Sequence, residues 1–139
     1  MSRVFETQIT IKFRDADPAQ IMYFGNLFSF AHDCFEEFIV AAGYAWKEWF
    51  RKGDYMIPIR HAESDFLSPF RPGETYDVSV TVAQIRDTSF QMKYVFSKEG
   101  RRHGVVTMVH AVLDSATMQK TPVPRELRDR LTPYVEASA

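Results

Sequence analysis

Between Leu27 and Ala42 the apolar residues of this chain recur at positions 27, 30, 31, 34, 35, 38, 41 and 42. Alternating steps of three and four mark one helix face turned toward a core. Phe28 and Ile39 widen that face, so the helix is covered on more than one side. Asn26 is the expected N-cap, and Gly43 the expected residue just past the C-terminal end. A chain with one long apolar helix has to wrap its remaining structure around it, and the remainder here alternates with the period of strands.

Val4, Ile9, Ile11 and Phe13, set against Glu6, Gln8, Thr10 and Lys12, predict a first strand, made less regular by Phe5 and Thr7. Residues 14–24 predict an acidic loop, because Pro18 cannot continue a central strand. Residues 56–67 predict one long strand, in which alternation places Ile59, His61, Glu63 and Asp65 on one face. Tyr76, Val78, Val80 and Val82 predict a half-buried strand, and Phe90, Met92, Tyr94 and Phe96 predict the next. Lys98-Glu99-Gly100-Arg101 reads as a hairpin turn, followed by a deeper strand over 105–113. Short helices are expected at 44–51 and 125–131, and residues 137–139 are expected to fray. Strands joined by short turns, with no room for crossover helices, pair antiparallel. The expected fold class is α+β: a mainly antiparallel sheet of about five strands wrapped around one long central helix, in a single domain over residues 1–139.

The formal net charge of −1 gives no general attraction to nucleic acid or to membranes. The basic clusters at 101–103 and 125–130 read as solvated surface. The single cysteine, Cys34, excludes an internal disulfide and falls on the apolar helix face. No apolar run is long enough for a transmembrane helix and no leader-like segment is seen, so the expected setting is the cytoplasm.

The chemistry concentrates where the acidic loop meets the helix. A helix N-terminus offers unpaired N–H groups and a partial positive charge. Asp17 lies a few residues upstream of that end. It reads either as a reactive carboxylate beside an oxyanion site or as a loop-forming residue before Pro18. Asp15 reads as a loop support that bonds N–H groups. His32 and Glu36 have the i, i+4 spacing of a metal pair, and His61 with Glu63 are the nearest candidates to complete it, but no full ligand set assembles and no metal is expected. There is no phosphate-binding glycine loop and no serine nucleophile elbow.

The order strand, acidic Asp15-Ala16-Asp17-Pro18-Ala19 loop, central helix and antiparallel meander resembles the hotdog fold. Phe13, Asp15, Asp17, Pro18, Ala19, Ile21, Tyr23, Phe24 and Asn26 resemble the loop of the 4-hydroxybenzoyl-CoA thioesterase family, which includes the Tol–Pal-associated acyl-CoA thioesterases. Residues 66–74 resemble that family's entry into its third strand, and Thr88-Ser89-Phe90 its later hairpin. The family usually carries Gly where this chain has Gln20 and Tyr where it has Leu27; an Asp that can read a substrate hydroxyl stands where this chain has His32.

This resemblance implies an acyl-CoA thioesterase. Asp17 is then the nucleophile or general base, the backbone N–H of Phe24 polarises the carbonyl, and Tyr23 completes the catalytic wall. Phe28 and His32 would line the acyl pocket. Ile59 and His61 would reach it from a second subunit, and Arg86, Thr88 and Ser89 would meet coenzyme A. Coenzyme A enters as part of the substrate, and no cofactor is implied. The expected partners are a small-molecule acyl-CoA, or an acyl-carrier protein presenting the same pantetheine arm, and a second copy of the chain in a homodimer that can pair again into a tetramer. Two other functions compete: a hotdog hydratase or dehydratase using His32, and a non-catalytic acyl-ligand-binding or scaffolding module.

Overall fold

Four inward residues on each of two neighbouring strands decide the architecture. Tyr76, Val78, Val80 and Val82 on one strand and Phe90, Met92, Tyr94 and Phe96 on the next are all buried. Their partners in alternation point the other way, so both strands bury the same face. The structure, a computed structural model, describes residues 2–50 and 53–136. The expectations for Arg51 and for residues 137–139 lie outside the described residues.

The strands are β1 (Phe5–Thr10), β2 (Tyr55–Met56), β3 (Ile59–Phe66), β4 (Thr75–Ile85), β5 (Ser89–Lys98), β6 (Arg101–Ala111) and β7 (Leu113–Asp114). The helices are α1 (Asn26–Ala41), α2 (Trp46–Phe50) and α3 (Arg125–Leu131). Five strands form one antiparallel sheet in the order β1-β4-β5-β6-β3. Helix α1 packs Leu27, Ala31, Cys34, Phe35, Phe38 and Ile39 onto the inward face of this sheet. Burying one such Phe or Leu side chain contributes roughly 1.5–3 kcal/mol, so this single layer of contacts dominates the fold's stability. The matching of an antiparallel five-stranded sheet to one long helix is the expected α+β hotdog arrangement. No helix among the described residues is long and apolar enough to cross a membrane.

Helix α1 ends as its sequence predicts. Gly43 takes a positive φ of 105°, the Gly43 N–H donates to Val40 O and the Tyr44 N–H to Ile39 O. These two bonds close the last carbonyls in a Schellman arrangement. The start differs from expectation. Gly25 is the N-cap and Asn26 is the first helical residue, with its Nδ2 donating to Asp15 O at 2.9 Å. Asn26 therefore ties the helix to the acidic loop instead of capping it.

Four strand expectations are corrected. The strand expected over 105–113 is β6 from Arg101 to Ala111, because its pairing with β5 continues to the hairpin turn, and Leu113 passes to β7. Strand β1 ends at Thr10, and Phe5, Thr7 and Ile9 face inward, so the first half is regular after all. Phe13 opens a short 3-10 turn and is 92% exposed, so it takes no part in the core. The stretch 55–66 is two strands: β2 leaves to pair with β7, and β3 begins after Pro58. Within β3 the register shifts between Ile59, opposite His110, and His61, opposite Val109. Arg60 is the extra residue of this bulge, and it turns Ile59 to the inward face while His61, Glu63 and Asp65 stay outward. Ile59 therefore does not share a face with His61. Among the described residues strand β3 pairs only with β6, and its residues are exposed along almost the whole length.

Candidate active site

The acidic loop is a small hairpin built on Asp17. The Gln20 N–H donates to Asp17 O at 2.9 Å and closes a turn around Pro18 and Ala19. The Asp17 N–H donates to Ile21 O at 3.0 Å, and Ala16 bridges Met22. Gln20 takes φ 68°, the left-handed conformation that follows the turn in a three-residue hairpin loop. Glycine enters this conformation freely, whereas a residue with a Cβ is held there at roughly 1 kcal/mol. That is the physical sense of the glycine usual at this position in the family.

Both carboxylates shape the loop, with roles more evenly divided than the sequence suggests. Asp15 Oδ2 accepts from the Lys12 N–H at 2.8 Å. Asp15 O accepts from the Tyr23 N–H at 2.8 Å and from Asn26 Nδ2 at 2.9 Å. Asp17 makes the Asx turn: its Oδ1 accepts from the Ala19 N–H at 2.8 Å. Its Oδ2 has no hydrogen-bond partner among the described residues. One oxygen fixes the carboxylate and the other is left without a partner among the described residues.

The helix entry lies at the far end of the same loop. The Asn26 N–H donates to Tyr23 O and the Leu27 N–H to Phe24 O. The N–H groups of Phe24 and Gly25 find no acceptor among the described residues. They form a pair of donors at the positive end of a 16-residue helix, the arrangement that holds a developing oxyanion. A Cβ on Gly25 would lie 2.7 Å from the Tyr23 ring, so a larger residue there would push that exposed ring aside. The Tyr23 and Phe24 rings pack on each other at 4.8 Å and are both exposed.

The remaining expected site residues divide by location. Phe28, one turn along α1, is partly buried against the core. His32, a further turn on, has a half-exposed side chain with Nδ1 4.0 Å from Glu36 Oε1. His61 pairs with Glu63 at 3.4 Å on the outward face of the sheet, away from α1. Arg86, Thr88 and Ser89 sit at the β4–β5 turn, where the Arg86 N–H donates to Ser89 O. The acidic loop instead joins the opposite end of β4, through Ile11 N–H to Glu74 O and Met22 N–H to Phe70 O. At about 3.3 Å per residue, the length of β4 separates these groups by roughly 30 Å. One chain alone therefore does not bring Asp17 together with Ile59, Arg86, Thr88 or Ser89.

Other features carry little sequence signal. An apolar cleft of about 340 Å³ opens between Ile21, Met22 and Phe24 of the loop and residues 66–70. His110 is buried flat between Phe35, at 4.7 Å, and Phe90, at 4.9 Å. Burial lowers its pKa to about 4; the Ile57 backbone opposes this and the nearby His32 adds to it. The Ile57 contact falls short of an aligned hydrogen bond, since neither ring nitrogen has a partner among the described residues. Period-two alternation marks His110 as inward but says nothing of its stacking partners. Cys34 is no candidate nucleophile, because burial, with Glu37 and Asp33 adding, pushes its thiol up to about 12.

The pattern of the thioesterase-like superfamily matches residues 11–131. A 1,4-dihydroxy-2-naphthoyl-CoA hydrolase from Rippkaea orientalis is 31% identical over 121 residues, covering 85% of this chain and 88% of that protein. The solved structure of a 1,4-dihydroxy-2-naphthoyl-CoA thioesterase from Synechocystis superposes with a TM-score of 0.85 at 20% identity, covering 94% of this chain and 96% of the other. A Staphylococcus aureus protein solved in complex with CoA gives a TM-score of 0.87 at 15% identity, covering all of this chain and 90% of the other.

Proposed function

The chain belongs to the thioesterase-like superfamily, and we propose that within it the protein hydrolyses an aromatic acyl-CoA thioester with Asp17 as the reactive carboxylate. The observation that carries this reading is the shared loop. Its Asx turn holds Oδ1 of Asp17 and leaves Oδ2 open, and its other end presents the unpaired Phe24 and Gly25 N–H groups. A thioester carbonyl bound by those donors becomes more electrophilic. Asp17 then takes a proton from water as the water oxygen attacks, or attacks directly to form an anhydride that water opens. Either way the C–S bond breaks, the acyl group leaves as the free acid, and the thiolate takes a proton to leave as CoA. Tyr23 and Phe24 wall the reacting group. The aromatic acyl group is suggested by the relatives' names and by the aromatic side chains that surround the helix entry.

We further infer that the smallest active unit is a homodimer paired through β3. An exposed strand edge with one partner strand is a template for a second copy. A two-fold axis at that edge runs the two β3 strands antiparallel. It sets the Ile59 end of one subunit against the Phe66 end of the other, and thereby supports the subunit-spanning site that a single chain lacks.

A panel of acyl-CoA and acyl-carrier-protein thioesters with a thiol-detecting dye tests the reaction; release of thiol fastest from aryl-CoA is the expected result. Failure to release thiol from any member, in protein that binds the same thioesters, would favour a non-catalytic acyl-binding module. Sedimentation across a dilution series, with activity followed alongside, tests the dimer. A fully active monomer would defeat it.

A further inference from the structure

The acidic loop and helix α1 meet at one carbonyl. Asp15 O accepts from the Tyr23 N–H at 2.8 Å and from Asn26 Nδ2 at 2.9 Å. Asp15 is itself held in place, since its Oδ2 accepts from the Lys12 N–H at 2.8 Å and its own N–H donates to Lys12 O at 2.9 Å. The Tyr23 bond belongs to the ladder of the loop hairpin. That ladder continues through the Ala16–Met22 bridge to the Asp17 N–H on Ile21 O at 3.0 Å, and it fixes where Asp17 stands on the outgoing arm.

Beyond Tyr23 the returning arm has left the ladder. The backbone turns into α1 through bonds within its own first turn, Asn26 N–H to Tyr23 O and Leu27 N–H to Phe24 O. Neither of these ties the helix to Asp17. Among the described residues, one hydrogen bond runs from this first turn back to the outgoing arm, and the Asn26 amide makes it. The target is a carbonyl, so the side chain must donate, and it must be short enough to share that oxygen with the Tyr23 N–H. The clamp is also neutral. No acidic residue lies in the first turn of α1, so the positive end of the helix stays unopposed beside the Phe24 and Gly25 N–H groups.

Resting on the thioesterase reading, we propose that Asn26 is a positioning residue for the reaction. Its bond to Asp15 O sets the angle at which α1 leaves the loop, and the Phe24 and Gly25 donors move with that angle. With the bond in place, a carbonyl held by those donors presents its carbon at a fixed distance from the Asp17 carboxylate. Asn26 touches neither the carbonyl nor the attacking group. A misplacement of about 1 Å between donors and carboxylate can cost about a hundredfold in rate, so one remote hydrogen bond is enough to govern turnover.

The test compares the wild-type chain with Asn26→Asp, Asn26→Ala and Asn26→Gln on 2-naphthoyl-CoA, with thermal melts run on each. Asn26→Asp keeps nearly the same shape, but its carboxylate cannot donate to Asp15 O. It also adds a negative charge to the first turn of α1, which favours the helix. Stability and turnover therefore separate in this variant: the melting temperature is expected to hold, while kcat falls about tenfold or more and KM stays within about twofold. Asn26→Ala should show the same split, and Asn26→Gln, which retains the amide on a longer arm, should recover part of the lost kcat. A second readout needs no turnover. A ketone analogue of 2-naphthoyl-CoA, with CH2 in place of sulfur, binds uncleaved, and its infrared carbonyl stretch falls in frequency as donors polarise it. That downshift is expected to shrink in Asn26→Ala and Asn26→Asp. Wild-type kcat in these two variants would overturn the proposal, as would a rise in KM alone or a loss of kcat that only follows a loss of stability. If the wild type cleaves no thioester, the thioesterase reading fails, and the ketone then decides separately. A downshift that shrinks in Asn26→Ala sustains the positioning role, and an equal downshift in both proteins, or none, overturns it.

Discussion

The two ends of helix α1 treat their backbone polar groups in opposite ways. At the C-terminal end the Gly43 and Tyr44 N–H groups take the carbonyls of Val40 and Ile39. Arg130 Nη1 from α3 donates to Ala42 O at 3.2 Å, and its guanidinium lies 4.5 Å over the Tyr44 ring. Glu126 pairs with the same Arg130 at 3.3 Å. At the N-terminal end there is no side-chain cap and no acidic residue in the first turn, and the Phe24 and Gly25 N–H groups find no acceptor among the described residues. Asn26, which has the chemistry to cap, is spent on holding Asp15 O. A helix built only for stability would carry an N-cap worth about 1 kcal/mol. Leaving it out keeps donors and positive potential exposed, and under the proposed function one end serves the fold and the other the site.

If that division holds, changes at the N-terminal end should move turnover and changes elsewhere should move stability. The largest effect is expected for Asp17→Asn. It keeps the Oδ1 acceptor of the Asx turn and removes the base, so thioester turnover should drop at least about a hundredfold with the melting temperature little changed. Near-normal turnover in a correctly folded variant would remove Asp17 from the mechanism.

His110 should report on stability alone. Its pKa is depressed from 6.5 to about 4 in the folded protein. The unfolded chain therefore takes up this proton first as pH falls. Stability is unaffected above about pH 6.5, declines from there, and levels off below about pH 4, for a total of about 3 kcal/mol from this group. Denaturant melts between pH 7 and pH 4 measure the decline, and His110→Phe should flatten it. An equally steep decline in that variant would shift the cause to other groups.

Arg130→Ala comes next. Removing a cation over Tyr44 and a donor to the last helical carbonyls should lower stability by about 1 kcal/mol. The kcat should stay within about twofold, because a change of a few tenths of a kcal/mol in the barrier is all that factor represents. A selective loss of turnover would show that the two ends are coupled.

The same division sets what could be read from the sequence. The body of α1 and the strands β4 and β5 follow from periodicity, the stop of α1 from Gly43 and the bounds of α3 from the prolines before it, whereas β6 begins at Arg101, four residues ahead of its apolar run. The acidic loop was legible through its resemblance, and Asp17 and Phe24 stand at opposite ends of it as expected. What failed depended on contacts between elements. The bulge at Arg60 turns Ile59 inward, and a one-residue shift leaves no trace in alternation. Phe13 continues the apolar pattern of β1 yet lies beyond the last paired residue. The cleft at Phe66 to Phe70 exists only where two loops meet.

The smallest effect sharpens the comparison most finely. Gln20 holds φ 68° in a loop whose other bonds all favour that hairpin. Gln20→Gly removes the Cβ strain in the folded state, worth up to about 1 kcal/mol, but also gives the unfolded chain more freedom, worth about 0.4–1 kcal/mol against it. The two terms nearly cancel, so the melting temperature should move little in either direction. Turnover isolates what remains. If the Gln20 side chain only fills a position that glycine also tolerates, Asp17 keeps its Asx turn and the rate is unchanged. If the substitution loosens the turn, the carboxylate loses its fixed orientation, and kcat should fall severalfold with KM and stability unaltered. A fall in stability without a fall in kcat would place this loop with the C-terminal end of α1, as a part of the scaffold.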